Sequence, residues 1–171
     1  MIPTPPPTPN SLSDWDEECL RQAIRLAAEN AGLEREGGGP FGAVIAADGV
    51  VLCSGANHVT RHFDPTAHAE VEAIREACRL IRNPSLAGYT LYSSCEPCPM
   101  CLASALWARV DRIVYASGRE DAAKAGFDDE AFYREVARPP SERATPCVQG
   151  LRELGWQAFE AWNANAMKKP Y

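Results

Sequence analysis

Residues 89–116 read YTLYSSCEPCPMCLASALWARVDRIVYA, and their pattern predicts a strand, a helix and a second strand. The segments YTLYSS at 89–94 and DRIVYA at 111–116 are typical of strands. Between them, a helix is predicted to start near Pro97, because proline suits the first helical turn. Parallel strands need a crossover of this kind, so the stretch predicts a parallel pair joined by a helix.

The chain before this stretch adds two helices and a hairpin. Ser13 can cap a helix that continues to Ala31, and another helix is predicted from about Thr66 to Ile81. Residues 41–57 read FGAVIAADGVVLCSGAN, two apolar runs joined by Asp-Gly, which is a strong hairpin signal. Helices that alternate with strands in this way indicate an α/β fold, with a sheet covered on both faces.

The chain after this stretch has a weaker pattern. Residues 129–138 and 154–167 look helical, and TPCVQ at 145–149 is a candidate for a last strand.

Composition and charge limit the classes of protein that fit. With 171 residues and 46% apolar content, the chain has the size of one globular domain, which we place at residues 13–171. Residues 1–12 should form a flexible, proline-rich tail. A net charge of −6 without any basic run makes nucleic acid an unfavourable partner. No secretory leader or bilayer-length apolar run is present, so we expect a cytoplasmic protein without a membrane partner.

Two short motifs carry candidate chemistry. PTAHAE at 65–70 contains His68 and Glu70, and CEPCPMC at 95–101 contains Cys98 and Cys101, three residues apart. Residues at that spacing are neighbours on a helix, and both sulfurs can reach one zinc ion. If both helices start at the same end of the sheet, His68 joins them as a third ligand. The fourth position is then left for a water that zinc acidifies, with Glu70 beside it to move the proton.

Other interpretations of these residues are possible besides a catalytic zinc site. Cys-x-x-Cys is also found in redox motifs and structural zinc sites, and Cys95 would complete a closed Cys3His site without room for water. Seven cysteines, an odd number, fit a disulfide framework poorly. His58 and His62 lie in a polar loop and are expected to be solvated. The remaining cysteines lie in apolar patterns and are expected in the core: Cys19, Cys53, Cys78 and Cys147.

The His-x-Glu and Pro-Cys-x-x-Cys motifs resemble those of the cytidine deaminase superfamily, the zinc deaminases of nucleobases. That resemblance implies a three-layer α/β/α fold with a five-stranded mixed sheet. Longer segments are similar to the bacterial guanine deaminases: GGPFGAVI, DPTAHAEVEAIREAC, SCEPCPMCLASALWARVDRIVYA, DAAKAGFDDEAFYREV and the terminal KKPY. The resemblance implies Zn²⁺ as cofactor and guanine as substrate, with attack at C2 giving xanthine and ammonia.

The same resemblance implies a role for particular residues. Asp129 would be a second acidic group, and chemistry supports this, because a carboxylate can accept from both N1–H and the 2-amino group of guanine. Asp128 or Glu130 could serve instead. The implied set comprises zinc ligands His68, Cys98 and Cys101, the proton carrier Glu70, and the substrate contacts Asn57, Phe41, Ala69 and Tyr171.

The resemblance also implies a homodimer in which the C-terminal segment is exchanged. Tyr171 would then close the pocket of the partner subunit, although Pro170 stands where an acidic residue is expected.

Three other functions remain open at this stage. A related small-molecule deaminase acting on guanosine, cytosine or an aminotriazine would keep the zinc motif and change only a few pocket contacts. A tRNA adenosine deaminase shares the motif, but the charge of −6 disfavours it. A non-catalytic zinc protein would have no use for Glu70 beside the metal.

Overall fold

The structure is a computed structural model and describes residues 11–32 and 38–170. The chain divides into two compact units, Met1–Asp129 and Glu130–Tyr171. Most of the expected proline-rich tail, residues 1–10, lies outside the described residues. Ser11 and Leu12 are exposed and belong to no helix or strand.

The first unit is built on a mixed sheet. Its strands, as far as the described residues show them, are β1 (Gly42–Ala47), β2 (Val50–Ala56), β3 (Thr90–Cys95) and β4 (Arg112–Ser117). They are ordered β2-β1-β3-β4. Strand β1 runs antiparallel to β2 and to β3, and β3 runs parallel to β4. The predicted hairpin and parallel pair are therefore confirmed. Asp48 and Gly49 turn the hairpin with positive φ angles of 50° and 75°, as a tight type I′ turn requires.

In the described residues of the first unit, the helices are α1 (Asp14–Ala31), α2 (Val59–His62), α3 (Ala69–Ile81), α4 (Pro99–Trp107) and α5 (Arg119–Lys124). Strand β1 alternates between two buried clusters, because successive side chains of a strand point to opposite faces. Val44 and Ala46 pack with residues of α1, whereas Ala43 and Ile45 pack with residues of α3 and α4. Helices therefore cover both faces of the sheet, as the sequence predicts.

Helix α1 is fixed to the sheet through its first turn. Ser13 and Asp16 form a reciprocal capping box. Asp16 Oδ1 also accepts hydrogen bonds from the Tyr92 hydroxyl at 2.8 Å and from Arg112 Nη1 at 2.9 Å. Burial alone raises the pKa of Asp16, but the hydrogen bonds from Ser13, Tyr92 and Arg112 outweigh it, so that the pKa is lowered.

Gly55 allows helix α3 to lie close against strand β2. A Cβ atom at this position would lie 2.4 Å from the Ala69 carbonyl oxygen and 2.6 Å from the Ala73 nitrogen. Both atoms belong to the helix backbone, which cannot move aside as a flexible side chain can. A glycine in β2 is therefore needed to seat the first turn of α3.

Three sequence-based expectations need correction. The helices begin later than predicted, α3 at Ala69 rather than near Thr66, and α4 at Pro99 rather than near Pro97. In the described part of the chain the sheet has four strands, so the expected five-stranded sheet is wrong. Residues 145–149, the candidate last strand, are exposed and irregular. Pro146 lacks the N–H that a strand ladder needs, and Val148 is 92% exposed.

The second unit contains α6 (Glu130–Ala137), a 3₁₀ turn (Pro140–Glu142) and α7 (Arg152–Ala164). The two helices agree with the sequence prediction. Neither contains a buried residue, and their large apolar side chains are exposed: Phe132, Val136, Leu154, Trp156, Phe159 and Trp162. This unit therefore presents an unusually apolar surface.

Among the residues that the structure describes, no helix combines the length and the apolar character needed to cross a membrane.

Candidate active site

The candidate site lies where α3 and α4 begin. His68 is the N-cap residue of α3, and Cys98 is the N-cap residue of α4. Pro99 occupies the first position of α4, where its missing N–H costs no helical hydrogen bond, and Cys101 follows in the same turn. Because β3 leads into α4 and α3 packs against the same sheet, both helix starts reach one place.

The structure brings three candidate metal ligands together. The His68 Nδ1 atom lies 3.6 Å from Cys98 Sγ and 3.5 Å from Cys101 Sγ, and the two sulfurs are 3.5 Å apart. Ligand bonds of roughly 2.0 Å to nitrogen and 2.3 Å to sulfur, at tetrahedral angles, place such atoms about 3.5–3.8 Å apart. The three side chains therefore fit one zinc ion without rearrangement.

The pKa shifts at these three residues differ in direction. The Cys98 thiol has its pKa lowered to about 4, because Cys101 and His68 hydrogen-bond to its sulfur. The pKa of Cys101 is raised by its bond to Cys98, by burial and by the charge of Glu70. The hydrogen bond to Cys98 raises the pKa of His68. Because metal ions bind thiolates and neutral imidazoles, the lowered pKa of Cys98 favours a bound cation, whereas at Cys101 and His68 a cation must compete with protons.

Glu70 lies beside these ligands in the first turn of α3. Its side chain is buried, and its Oε2 atom is 3.4 Å from Cys101 Sγ. The hydroxyl of Ser93, on β3, lies 3.2 Å from the other oxygen, Oε1. Burial raises the pKa of Glu70, so this carboxyl group holds a proton more readily than a solvated glutamate does. It is therefore suited to accept and return a proton.

Asn57 is held rigidly at the end of β2. Its Oδ1 atom accepts hydrogen bonds from the backbone nitrogens of Gly39, at 3.3 Å, and Val59, at 3.2 Å. Its backbone oxygen accepts a bond from Asn30 Nδ2 at 2.8 Å. Because Oδ1 is engaged in this way, the Nδ2 group is the part of the amide oriented to donate to a ligand.

Two further residues of the predicted set, Phe41 and Asp129, have described surroundings. The rings of Phe41 and Phe127 meet edge to face, with centroids 4.9 Å apart. Asp129 follows Phe127 closely and is half-buried. Burial and the negative charge of Cys98 raise the pKa of the Asp129 carboxyl group.

The other residues singled out in the sequence are Ala69, the cysteines outside the cluster and Tyr171. Ala69 is fully buried in the first turn of α3, next to His68. The Cys95 thiol points to the Gly118 carbonyl oxygen, 3.7 Å away, and not to the other two cysteines, so the closed Cys3His arrangement is not formed. Cys19 is buried, and Cys53 and Cys78 are half-buried, but Cys147 is exposed, contrary to expectation. Tyr171 lies outside the described residues.

Two supporting residues cannot be predicted from the sequence. Ser93 contacts Glu70 from β3, and Asn30 braces Asn57 from the last turn of α1. Both are buried polar residues, and burial of a polar side chain is itself a signal of a specific partner. The signal appears only once the fold is known, because both partners are distant in sequence.

Residues 13–117 match the family described as the cytidine and deoxycytidylate deaminase zinc-binding region. The chain belongs to this deaminase family. The matched residues contain both helix starts, and therefore His68, Glu70, Cys98 and Cys101.

Several members of the family are similar over most of their length. The guanine deaminase of Bacillus subtilis is 48% identical over 157 residues, which cover 91% of this chain and 98% of the relative. A crystal structure of the B. subtilis guanine deaminase superposes with a TM-score of 0.87 at 45% identity, over 94% of this chain and 99% of the other. The tRNA-specific adenosine deaminase of Haemophilus influenzae is 33% identical, over 81% of this chain and 82% of the relative.

Proposed function

We propose that the protein is a zinc-dependent guanine deaminase, which hydrolyses guanine to xanthine and ammonia. One structural observation supports this most directly: a buried carboxyl group, that of Glu70, lies beside a His-Cys-Cys cluster with tetrahedral spacing. The 48% identity to the B. subtilis guanine deaminase points to guanine among the possible substrates.

We propose His68, Cys98 and Cys101 as the zinc ligands. Two thiolates and one imidazole are a donor set that zinc prefers, and three protein ligands leave a position for water. When bound, zinc supplies a Lewis acid that lowers the pKa of water to about 7.

Glu70 would carry the proton between water and the leaving group. Its carboxylate accepts a proton from the attacking water as the oxygen adds to C2, and returns it to the departing amino nitrogen, which leaves as ammonia. The raised pKa suits this task, because a proton carrier works best when its pKa approaches the working pH. The Ser93 hydroxyl keeps the carboxyl group in place throughout.

Three side chains would recognise the purine. The Asn57 amide nitrogen donates to an acceptor on the ring, because its oxygen is already engaged by Gly39 and Val59. Phe41 packs against the ring. The Asp129 carboxylate accepts from N1–H and from the 2-amino group, two neighbouring donors that adenine lacks. The buried backbone of Ala69 would line the same pocket.

We further propose one functional domain over residues 13–171 and a homodimer with exchanged C-terminal segments. The exposed apolar side chains of α6 and α7 support this, since so small a unit cannot bury enough apolar area alone. In this arrangement Tyr171 would close the partner's site. We place the enzyme in the cytoplasm, where the two thiol ligands stay reduced.

A substrate panel tests the proposed reaction. Zinc-loaded protein is incubated separately with guanine, guanosine, cytosine, adenine and a tRNA anticodon stem-loop, and ammonia release and product absorbance are measured. We expect turnover of guanine well above the others. Turnover of only another compound would overturn the proposed specificity, and no turnover of any would favour a non-catalytic zinc protein.

A further inference from the structure

A second cluster of metal-ligating side chains lies outside the candidate active site. His58 is the N-cap residue of α2, directly after Asn57, and His62 is the last residue of that helix, four positions on. Glu72 lies in the first turn of α3. The sequence predicts that both histidines are solvated, but His58 is half-buried against Glu72.

The geometry of this cluster suits a single ion. One ligand atom from each of the three residues lies within 4.8 Å of the others. His58 Nδ1 and Glu72 Oε2 are 3.8 Å apart, and the two imidazole rings have centroids 4.8 Å apart. Nitrogen and oxygen ligands of one tetrahedral zinc ion lie about 3.3 Å apart, so small side-chain movements would complete the site.

The His58 Nδ1 atom has no hydrogen-bond partner among the described residues, although it is shielded from solvent. At 3.8 Å, Glu72 Oε2 is too distant to accept a hydrogen bond from it. Leaving such an atom unpaired costs free energy. A cation between the imidazole and the carboxylate would satisfy both atoms at this separation.

Neighbouring residues already orient the carboxylate. Glu72 Oε1 accepts a bond from Arg75 Nη1 at 2.7 Å, and Arg75 Nη2 donates to Thr66 Oγ1 at 3.0 Å. The second oxygen, Oε2, is thereby directed toward His58. Hydrogen bonding of a ligand carboxylate by a second residue is typical of metal sites.

We propose that His58, His62 and Glu72 bind a second divalent transition-metal ion, distinct from the one held by His68, Cys98 and Cys101. Two imidazoles and one carboxylate suit Zn²⁺, Ni²⁺ or Cu²⁺, and the lack of a thiolate makes this site weaker than the first for zinc. The ion would link the segment that follows Asn57 to helix α3. The inference does not depend on the proposed deaminase reaction, because none of its three ligands takes part in that reaction.

Metal counting tests the proposal. The full-length protein, already loaded with one zinc ion, is dialysed against graded Zn²⁺ concentrations, and bound zinc per chain is measured by mass spectrometry. We expect a second ion in the native protein. The variants His58→Asn, His62→Asn and Glu72→Gln should each weaken its binding at least about tenfold while keeping the first ion.

A matched control is available on the same helix. Glu76 lies one turn beyond Glu72 and pairs with Arg79, so Glu76→Gln removes the same charge without touching the cluster. This variant should bind two ions. Equal weakening in Glu76→Gln and Glu72→Gln would overturn the proposal, as would a single ion in the native protein at every Zn²⁺ concentration.

Cobalt substitution separates the two sites by their spectra. Co²⁺ bound by thiolates shows a sulfur-to-metal charge-transfer band in the near ultraviolet, whereas Co²⁺ bound by nitrogen and oxygen alone shows only visible bands. With zinc held in the first site, added Co²⁺ should give visible absorption without the charge-transfer band. A charge-transfer band from this added ion would place it on cysteine and refute the assignment.

Discussion

Glu70 is buried yet carries an ionisable group, and its burial raises its pKa. We expect Glu70→Gln to lower kcat on the order of 10²- to 10⁴-fold, because the amide cannot carry a proton. Zinc content and melting temperature should be preserved, since glutamine keeps the hydrogen bond to Ser93 and removes a buried charge. Metal analysis, thermal melting and steady-state kinetics measure these quantities, and Glu76→Gln serves as a control. Native-like turnover would exclude Glu70 as the proton carrier.

Asp129 lies in an acidic segment in which only one carboxylate should read the purine edge. Asp129→Ala is expected to reduce kcat/KM for guanine by about 100-fold or more, because two charge-assisted hydrogen bonds are lost. The neighbouring variant Asp128→Ala should have a small effect, since Asp128 is exposed. Steady-state kinetics and thermal melting of both variants distinguish a role in substrate binding from a role in folding. If Asp129→Ala lost folding stability in proportion to activity, the residue would be structural.

The sequence motifs predicted which metal-ligating side chains meet, because their spacing places them at helix starts. The supporting contacts could not be predicted in this way. Asn30 donates a hydrogen bond to the backbone of Asn57, 27 positions away, and Ser93 donates one to Glu70, 23 positions away. The local sequence does not indicate either partner. His58 was misjudged for the same reason, because its shielding depends on helix α3.

The contact between β2 and α3 depends on Gly55. Gly55→Ala should destabilise the fold by about 1–3 kcal/mol, because the added methyl group meets helix backbone that cannot yield. It should also weaken zinc retention, since the displaced turn follows His68. Chemical denaturation and metal analysis measure both effects. Gly32→Ala is the control, because its Cβ meets only ordinary contacts at 3.5 Å. Unchanged unfolding free energy and zinc content in Gly55→Ala would show that helix α3 can shift to accommodate the methyl group.

The sequence predicts whether a segment is a helix or a strand better than it predicts the residues at which that segment begins and ends. Periodicity extends over many residues and fixes the type of element. The start of α4 depends on which of two prolines takes the first helical position, and Pro97 and Pro99 give the same local signal. The candidate last strand failed because a short apolar run is ambiguous without a neighbouring strand to pair with.

Exchange of C-terminal segments between two chains of a dimer can be tested by combining two variants that are each inactive for a different reason. A Glu70→Gln chain has an inactive site and an intact C-terminus, and a chain that lacks Tyr171 has the reverse. If each C-terminus closes the partner's site, co-expression of the two should restore activity to well above the sum of the separate proteins, because one of the two sites in the mixed dimer is complete. Activity assays on the purified mixed dimer measure this, with the co-expressed double-defect chain as control. No gain over the separate proteins would indicate that Tyr171 acts within its own chain or not at all.

The position of the candidate ligands at two buried helix starts has a consequence for how such enzymes diversify. His68, Cys98, Cys101 and Glu70 belong to the first turns of α3 and α4, or to their caps, which the sheet holds fixed. Asn57 and Asp129 instead lie in connecting segments outside those helices. If Asn57 and Asp129 contact the substrate as proposed, mutations in these connecting segments can change which heterocycle is accepted without altering the metal ligands or Glu70. New substrate preferences can then arise within one lineage without passing through an inactive ancestor.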